Sequence, residues 1–193
     1  MARQRRLSRK ERRRQEREEE NMMRVLNTKF SMRPVKPLTP SQSDLFDSYE
    51  RGYNLAAIGT AGTGKTMCAT YLALNDVLQK GEYEKVVIIR SAVQTREQGF
   101  MPGSKAQKEA VFEGPYTDIV NDLFSRGDAY QVLKQKGMIE FMSSSFVRGL
   151  TFDNSVIIVD ECQSMTYHEL DTIITRVGES SKIIFCGDTK QDD

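Results

Sequence analysis

Apolar positions change their period along this chain, and the changes divide it. Residues 1–24 have almost no apolar stripe; Arg, Glu and Gln favour helix there, but no face can dock by burial. Residues 25–40 hold three of the five prolines and read as an extended connector. From Ser41 the spacing of Leu45, Phe46 and Tyr49 predicts a short amphipathic helix, capped by Ser41, with those side chains inward. Continuous apolar runs then take over at 54–58, 85–90, 138–142, 155–160 and 182–186, each bounded by turn residues. Between them 65–79, 105–126 and 166–176 read as helices, the second interrupted near Gly114-Pro115. Unbroken β-branched runs are strands buried on both faces, so the pattern predicts an α/β fold, a mostly parallel sheet covered by helices on both sides. There are no internal repeats.

With 193 residues, 38% of them apolar, the chain can form one domain of ordinary size plus a tail. We divide it into a basic arm and connector over 1–34 and a domain over 35–193. No run approaches the ~18 apolar residues that span a bilayer, and the start is charged, which predicts a soluble, cytoplasmic protein without membrane association. The net charge of +1 conceals an asymmetry: residues 1–17 carry nine basic and two acidic side chains, leaving 19 basic and 25 acidic for the rest. Such an arm can hold nucleic-acid phosphates by counterion release, or it can be a solvated tail that holds nothing; charge alone leaves both open. Cys68, Cys162 and Cys186 lack the paired short spacings of a metal site and the even number of a disulfide framework, so buried reduced thiols are expected. His168, the only histidine, sits among polar residues and reads as a surface side chain.

One turn changes the picture. Gly59-Thr60-Ala61-Gly62-Thr63-Gly64-Lys65-Thr66 fits the phosphate-binding pattern G-x-x-x-x-G-K-[ST], with a predicted strand entering and a predicted helix leaving. The glycines let consecutive backbone N–H groups point into one cavity at the positive end of the helix. Lys65 would bridge the β- and γ-phosphates, and the Thr66 hydroxyl would ligate Mg²⁺. A metal carboxylate is needed at the end of another buried strand, and the 155–160 run delivers Asp160 and Glu161 there. Two adjacent acids at a buried strand end repel each other and lose solvation, a cost that a bound cation relieves. Asp160 would hold Mg²⁺ through water, and Glu161 would polarise the water that attacks the γ-phosphate of ATP. The chain is too short for two complete nucleotide-binding lobes.

Gly187-Asp188-Thr189-Lys190-Gln191 follows the last apolar run, and Gln191 is the candidate for sensing the γ-phosphate. The overlapping Thr189-Lys190-Gln191-Asp192 also matches [NT]-K-x-D, which reads guanine in GTPases. GTPases carry D-x-x-G after the metal strand, whereas this chain has Asp160-Glu161-Cys162-Gln163, so GTP stays the minor alternative.

Six ordered blocks resemble the PhoH-like family of phosphate-starvation-associated P-loop ATPases, most of all its bacteriophage members. They are the 59–66 loop, Arg90-Ser-Ala-Val-Gln-Thr-Arg-Glu-Gln-Gly-Phe-Met-Pro-Gly103, Val147-Arg-Gly-Leu-Thr151, Ile158-Val-Asp-Glu-Cys-Gln163, Ile174-Thr-Arg-Val-Gly178 and Gly187-Asp-Thr-Lys-Gln191. The resemblance implies a RecA-like fold related to superfamily 1 helicase lobes. It makes Gln42, in Leu38-Thr39-Pro40-Ser41-Gln42, the candidate adenine reader. It also implies nucleic-acid or subunit contacts for Arg90, Arg96, Arg148 and Arg176, with Arg176 alternatively supporting the γ-phosphate. Surface ion pairing explains each arginine equally well. Family members usually continue through a further strand, whose absence would leave the strand feeding the phosphate loop with an open edge. We therefore expect a RecA-like domain, with its last strand or strands missing, that binds ATP with Mg²⁺. Its work would be done on nucleic acid, RNA before others, as a ring or other homo-oligomer. The competing expectation is a nucleotide-dependent binding module without turnover.

Overall fold

A computed structural model describes residues 31–91 and 105–189, with side chains up to Ser91 and again from Phe112. The arm before residue 31, the segment containing Arg96, and Gln191 lie outside the described residues. The compact unit begins at Met32.

The first helix, α1 (Pro40–Glu50), is capped by Thr39, whose hydroxyl accepts the Gln42 N–H, and not by Ser41 as the spacing suggested. Pro40 explains the difference: its fixed φ and missing N–H suit the first helical position, which moves the cap one residue before it. Strand β1 (Leu55–Gly59) follows, then α2 (Lys65–Asn75), which runs into a π-helical turn over Asp76–Lys80. Next come β2 (Lys85–Arg90), α3 (Lys105–Leu123) and α4 (Ala129–Gln135). The rest is β3 (Ile139–Ser143), β4 (Ser155–Asp160), α5 (Tyr167–Ile174) and β5 (Lys182–Asp188). Pro115 sits within α3 without ending it.

The five strands lie in the order β1-β5-β4-β2-β3, and every pairing is parallel. All strand C-termini therefore share one edge of the sheet, where ligands of such folds gather. β4 is buried along its whole length, as an unbroken Val/Ile run requires. Its Ile157 and Val159 join Val87, Ile89 and Ile173 in the core under α5. Period two then turns Asp160 to the other face, toward α2 and α3. β1 pairs only with β5, and Ile58 on it is 51% exposed, so the strand that feeds the phosphate loop is an edge strand among the described residues.

At the opposite end of the sheet a charged network ties α1 to the core. Asp76, 1% exposed, accepts from the Tyr49 hydroxyl at 2.7 Å and pairs with Lys80 at 2.9 Å. Lys182, also buried, donates to the Tyr49 carbonyl at 3.1 Å and lies 3.7 Å from the centre of its ring. Burial pulls the Lys182 ammonium below its usual pKa, while Asp76 opposes that pull. Removing one member of such a buried set strands the others. Asp76→Ala is expected to cost about 3–5 kcal/mol of stability, and Tyr49→Phe about 1 kcal/mol, both by urea unfolding. An Asp76→Ala chain as stable as its parent would show that the network contributes nothing.

Candidate nucleotide site

The chain leaves β1 and curls back on itself before α2. Gly62 and Gly64 have φ of 76° and 79°, a left-handed backbone that a side chain would strain. The Thr63 hydroxyl donates to the Thr60 carbonyl at 2.9 Å, closing the curl. Gly64 caps α2 with no side-chain hydrogen bond, so the first N–H groups of the helix stay available to an anion. Lys65 Nζ donates to the Gly59 and Thr60 carbonyls at 3.0 and 2.8 Å, which holds the ammonium at the mouth of the loop.

Two strands away, β4 delivers Asp160, 7% exposed. The Thr66 hydroxyl donates to its Oδ1 at 2.8 Å, joining the two sequence blocks by one bond. Glu161 turns out of the strand with φ 51° and ψ 41°, a left-handed conformation that costs a non-glycine residue about 1 kcal/mol or more. Gln163 steadies it: its amide donates to Glu161 Oε2 at 2.6 Å and accepts the Asp188 N–H at 2.9 Å. A cavity of about 340 Å³ opens between these groups, lined by Lys65, Thr66, Ile119, Asp160, Glu161 and Asp188 among others. Cys186 also lines it; burial pushes this thiol and that of Cys162 above the ordinary range, so both stay protonated. Sequence reasoning missed Tyr116, whose hydroxyl donates to Asp160 Oδ2 at 2.7 Å from α3. It also gave Gln163 no role.

The remaining candidates spread out. Gln42 packs against the loop, donating to the Thr63 carbonyl at 2.9 Å and accepting the Leu38 N–H at 2.7 Å, and does not line the cavity. Arg90 ends β2 opposite Asp160 in the strand register, its guanidinium 5.6 Å from the centre of the Phe112 ring. Arg148, exposed beyond β3, meets His168 Nε2 at 2.6 Å on the surface near the start of α5. Arg176 follows α5, and its carbonyl accepts the N–H of Phe152, just before β4 begins. That is the far end of the strands from the phosphate loop, so Arg176 does not join the cavity.

A magnesium nucleotide suits these groups. Among the described residues no cluster of His, Cys, Asp or Glu would hold a metal alone. One hydroxyl and one carboxylate are the usual protein share of a Mg²⁺ whose other ligands are water and phosphate oxygens. Loop amides, the Lys65 ammonium and the uncapped helix end match a triphosphate in charge and in hydrogen-bond sense.

The PhoH-like protein family model matches residues 34–193. The chain belongs to the PhoH-like family. Protein PhoH2 of Bacillus subtilis is 37% identical over 140 residues, 70% of this chain and 32% of that protein. The PhoH-like protein of the same organism is 32% identical over 162 residues, 83% of this chain and 50% of its own length. This PhoH-like chain thus spans a third to a half of those relatives. The crystal structure of the UvsW helicase from bacteriophage T4 superposes with a TM-score of 0.50 at 18% identity, over 90% of this chain and 61% of that one. The fold is RecA-like, and its 59–66 turn carries the P-loop pattern. No helix among the described residues is long and apolar enough to cross a membrane.

Beside the site, Glu169 on α5 gathers β2 and β3 by accepting from Ser144 at 2.6 Å and Ser91 at 3.3 Å, and it closes a capping box with Thr166. Burial alone would raise its pKa, but the bonds from Ser144, Thr166 and Ser91 prevail and hold it below the usual range. A depressed folded-state pKa gives stability that is present above the unfolded value of about 4.3 and is lost as pH falls through the folded one. Glu169→Gln is therefore expected to lower stability at pH 7 and to flatten its decline below pH ~4.3, followed by acid titration of urea midpoints. An unchanged acid slope would remove Glu169 from the account.

Proposed function

We propose that this domain is a Mg²⁺-dependent ATPase whose hydrolysis is coupled to nucleic acid, RNA in the first instance. The bond between Thr66 and Asp160 carries the proposal, because it joins the phosphate loop to a buried carboxylate on one wall of a cavity of about 340 Å³. The loop amides and Lys65 bind the phosphates, with the ammonium leaving the Gly59 and Thr60 carbonyls for the β- and γ-oxygens. Thr66 and Asp160 hold the metal. When bound, Mg²⁺ supplies positive charge to the phosphate oxygens and favours charge build-up on the leaving group. Glu161, aimed by its left-handed backbone and by Gln163, orients water and takes its proton. Gln163 links Glu161 to the end of β5, the strand that leads toward Gln191, and so offers a route for γ-phosphate sensing. Gln42 would read adenine by exchanging one of its present bonds for the base.

The polymer reading is supported by Arg148 and Arg90 at the C-terminal edge of the sheet and by the nine basic residues of the arm. A second copy of this domain would supply the other surface needed to grip and move a strand. Arg176, remote from the cavity within its own chain, suits such a contact. Steady-state hydrolysis with and without single-stranded RNA tests this. Stimulation by RNA, with Glu161→Gln losing at least about a hundredfold in turnover while still binding ATP, is the expected result. Tight ATP binding with no turnover, RNA present or absent, would make the domain a nucleotide-switched binding module instead. Preference for GTP in competition would overturn the assignment of the base.

A further inference from the structure

The metal-site carboxylate is gripped from two sides. Thr66 of α2 takes Oδ1 at 2.8 Å, and Tyr116 of α3 takes Oδ2 at 2.7 Å. Tyr116 is 1% exposed, and its ring packs on Phe141 with centroids 5.5 Å apart. A phenylalanine would fill that space equally well, so packing does not require the hydroxyl. Burying a hydroxyl is unfavourable unless it is bonded, and a bond to a carboxylate is among the stronger compensations. The spacing on α3 is also informative. Phe112, Tyr116 and Ile119 recur at helical intervals, the first under Arg90, the second on Asp160 and the third in the cavity wall. One face of α3 is thus fitted to the ends of β2 and β4.

We propose that Tyr116 is a positioning residue for metal binding: its hydroxyl fixes the carboxylate plane of Asp160 so that the metal-facing geometry exists before Mg²⁺ arrives. This rests on the magnesium-nucleotide reading of the cavity. A carboxylate held at one oxygen swings about its last torsion, whereas one held at both does not. The Thr66 hydroxyl can donate to Asp160 while offering a lone pair to the metal, so the two-point hold survives loading. A phenol keeps its proton at neutral pH, so Tyr116 remains a donor. The bond also makes α3 part of the site, since any displacement of the helix is passed directly to Asp160.

Tyr116→Phe removes only the hydroxyl. The full 193-residue chain is titrated with ATP in EDTA, with Mg-ATP, and with Mn²⁺ at saturating ATP, the last followed by the loss of free-ion paramagnetic signal. Metal-free ATP should bind the variant and the parent within about twofold. Affinity for Mn²⁺ in the presence of ATP should fall about tenfold, equivalent to ~1.4 kcal/mol. Phe141→Leu is the packing control: it should lower the unfolding midpoint while leaving Mn²⁺ affinity unchanged. Equal metal affinity in Tyr116→Phe and parent would overturn the proposal, as would an equal loss with and without metal, or a matching loss in Phe141→Leu. A parent chain that takes up no metal with ATP would instead overturn the nucleotide reading beneath it.

Discussion

A buried carboxylate on one strand must meet a glycine-rich turn on another, and the sheet order arranges the meeting. β5 lies between β1 and β4, so the phosphate loop and Asp160 face each other across the end of β5. Gly187 stands at that end. A Cβ there would come within 2.7 Å of Cys162 Sγ and 2.9 Å of Ile58 Cδ1, so any larger residue would force these two side chains to shift. The bond from Thr66 to Asp160 is the product of this geometry. Without it the loop would be a turn and the acid an unfavourable burial. With it they form two walls of one cavity.

The two ends of the sheet are held differently. At the C-terminal edge, partly exposed and strained groups gather: Glu161 in a left-handed conformation, Lys65 on loop carbonyls, Gln163 spanning two strands. At the N-terminal edge, Asp76, Tyr49 and Lys182 are buried and mutually bonded. That rigid end fixes α1, and α1 carries Gln42 against the phosphate loop. Strain is tolerated where chemistry needs it because burial and charge pairing stabilise the opposite end.

Much of this is legible in the amino-acid sequence. Long Val/Ile runs at 85–90, 155–160 and 182–186 gave strands because a strand buried on both faces has no polar alternation to confuse it. The phosphate loop was legible because its glycines serve backbone angles that few other residues adopt. α4 was not: residues 129–135 form a short helix with no side-chain cap, and their burial is fixed by tertiary contact. The Gly114-Pro115 pair suggested a break, yet α3 continues through it. Tyr116 was hidden for the same reason. A tyrosine 44 positions from Asp160 carries no local sign that its hydroxyl will be spent on that carboxylate. Arg176 shows the converse, since a family block gave it a choice of roles and the parallel topology sets it at the far end of the strands from the cavity.

Strand β1, at an edge of the sheet among the described residues, carries the loop, the π-helical turn after α2 carries Asp76, and α3 carries the second hold on Asp160. All three serve the cavity that we assign to a triphosphate. Calorimetric titration of ATP into the chain, with Mg²⁺ and then with EDTA, measures that cavity directly, using Lys65→Ala as comparison. Saturable binding that tightens with Mg²⁺ and weakens at least about tenfold in Lys65→Ala, ~1.4 kcal/mol, is the predicted result. No heat of binding from any purine triphosphate, or equal binding by Lys65→Ala, would contradict it.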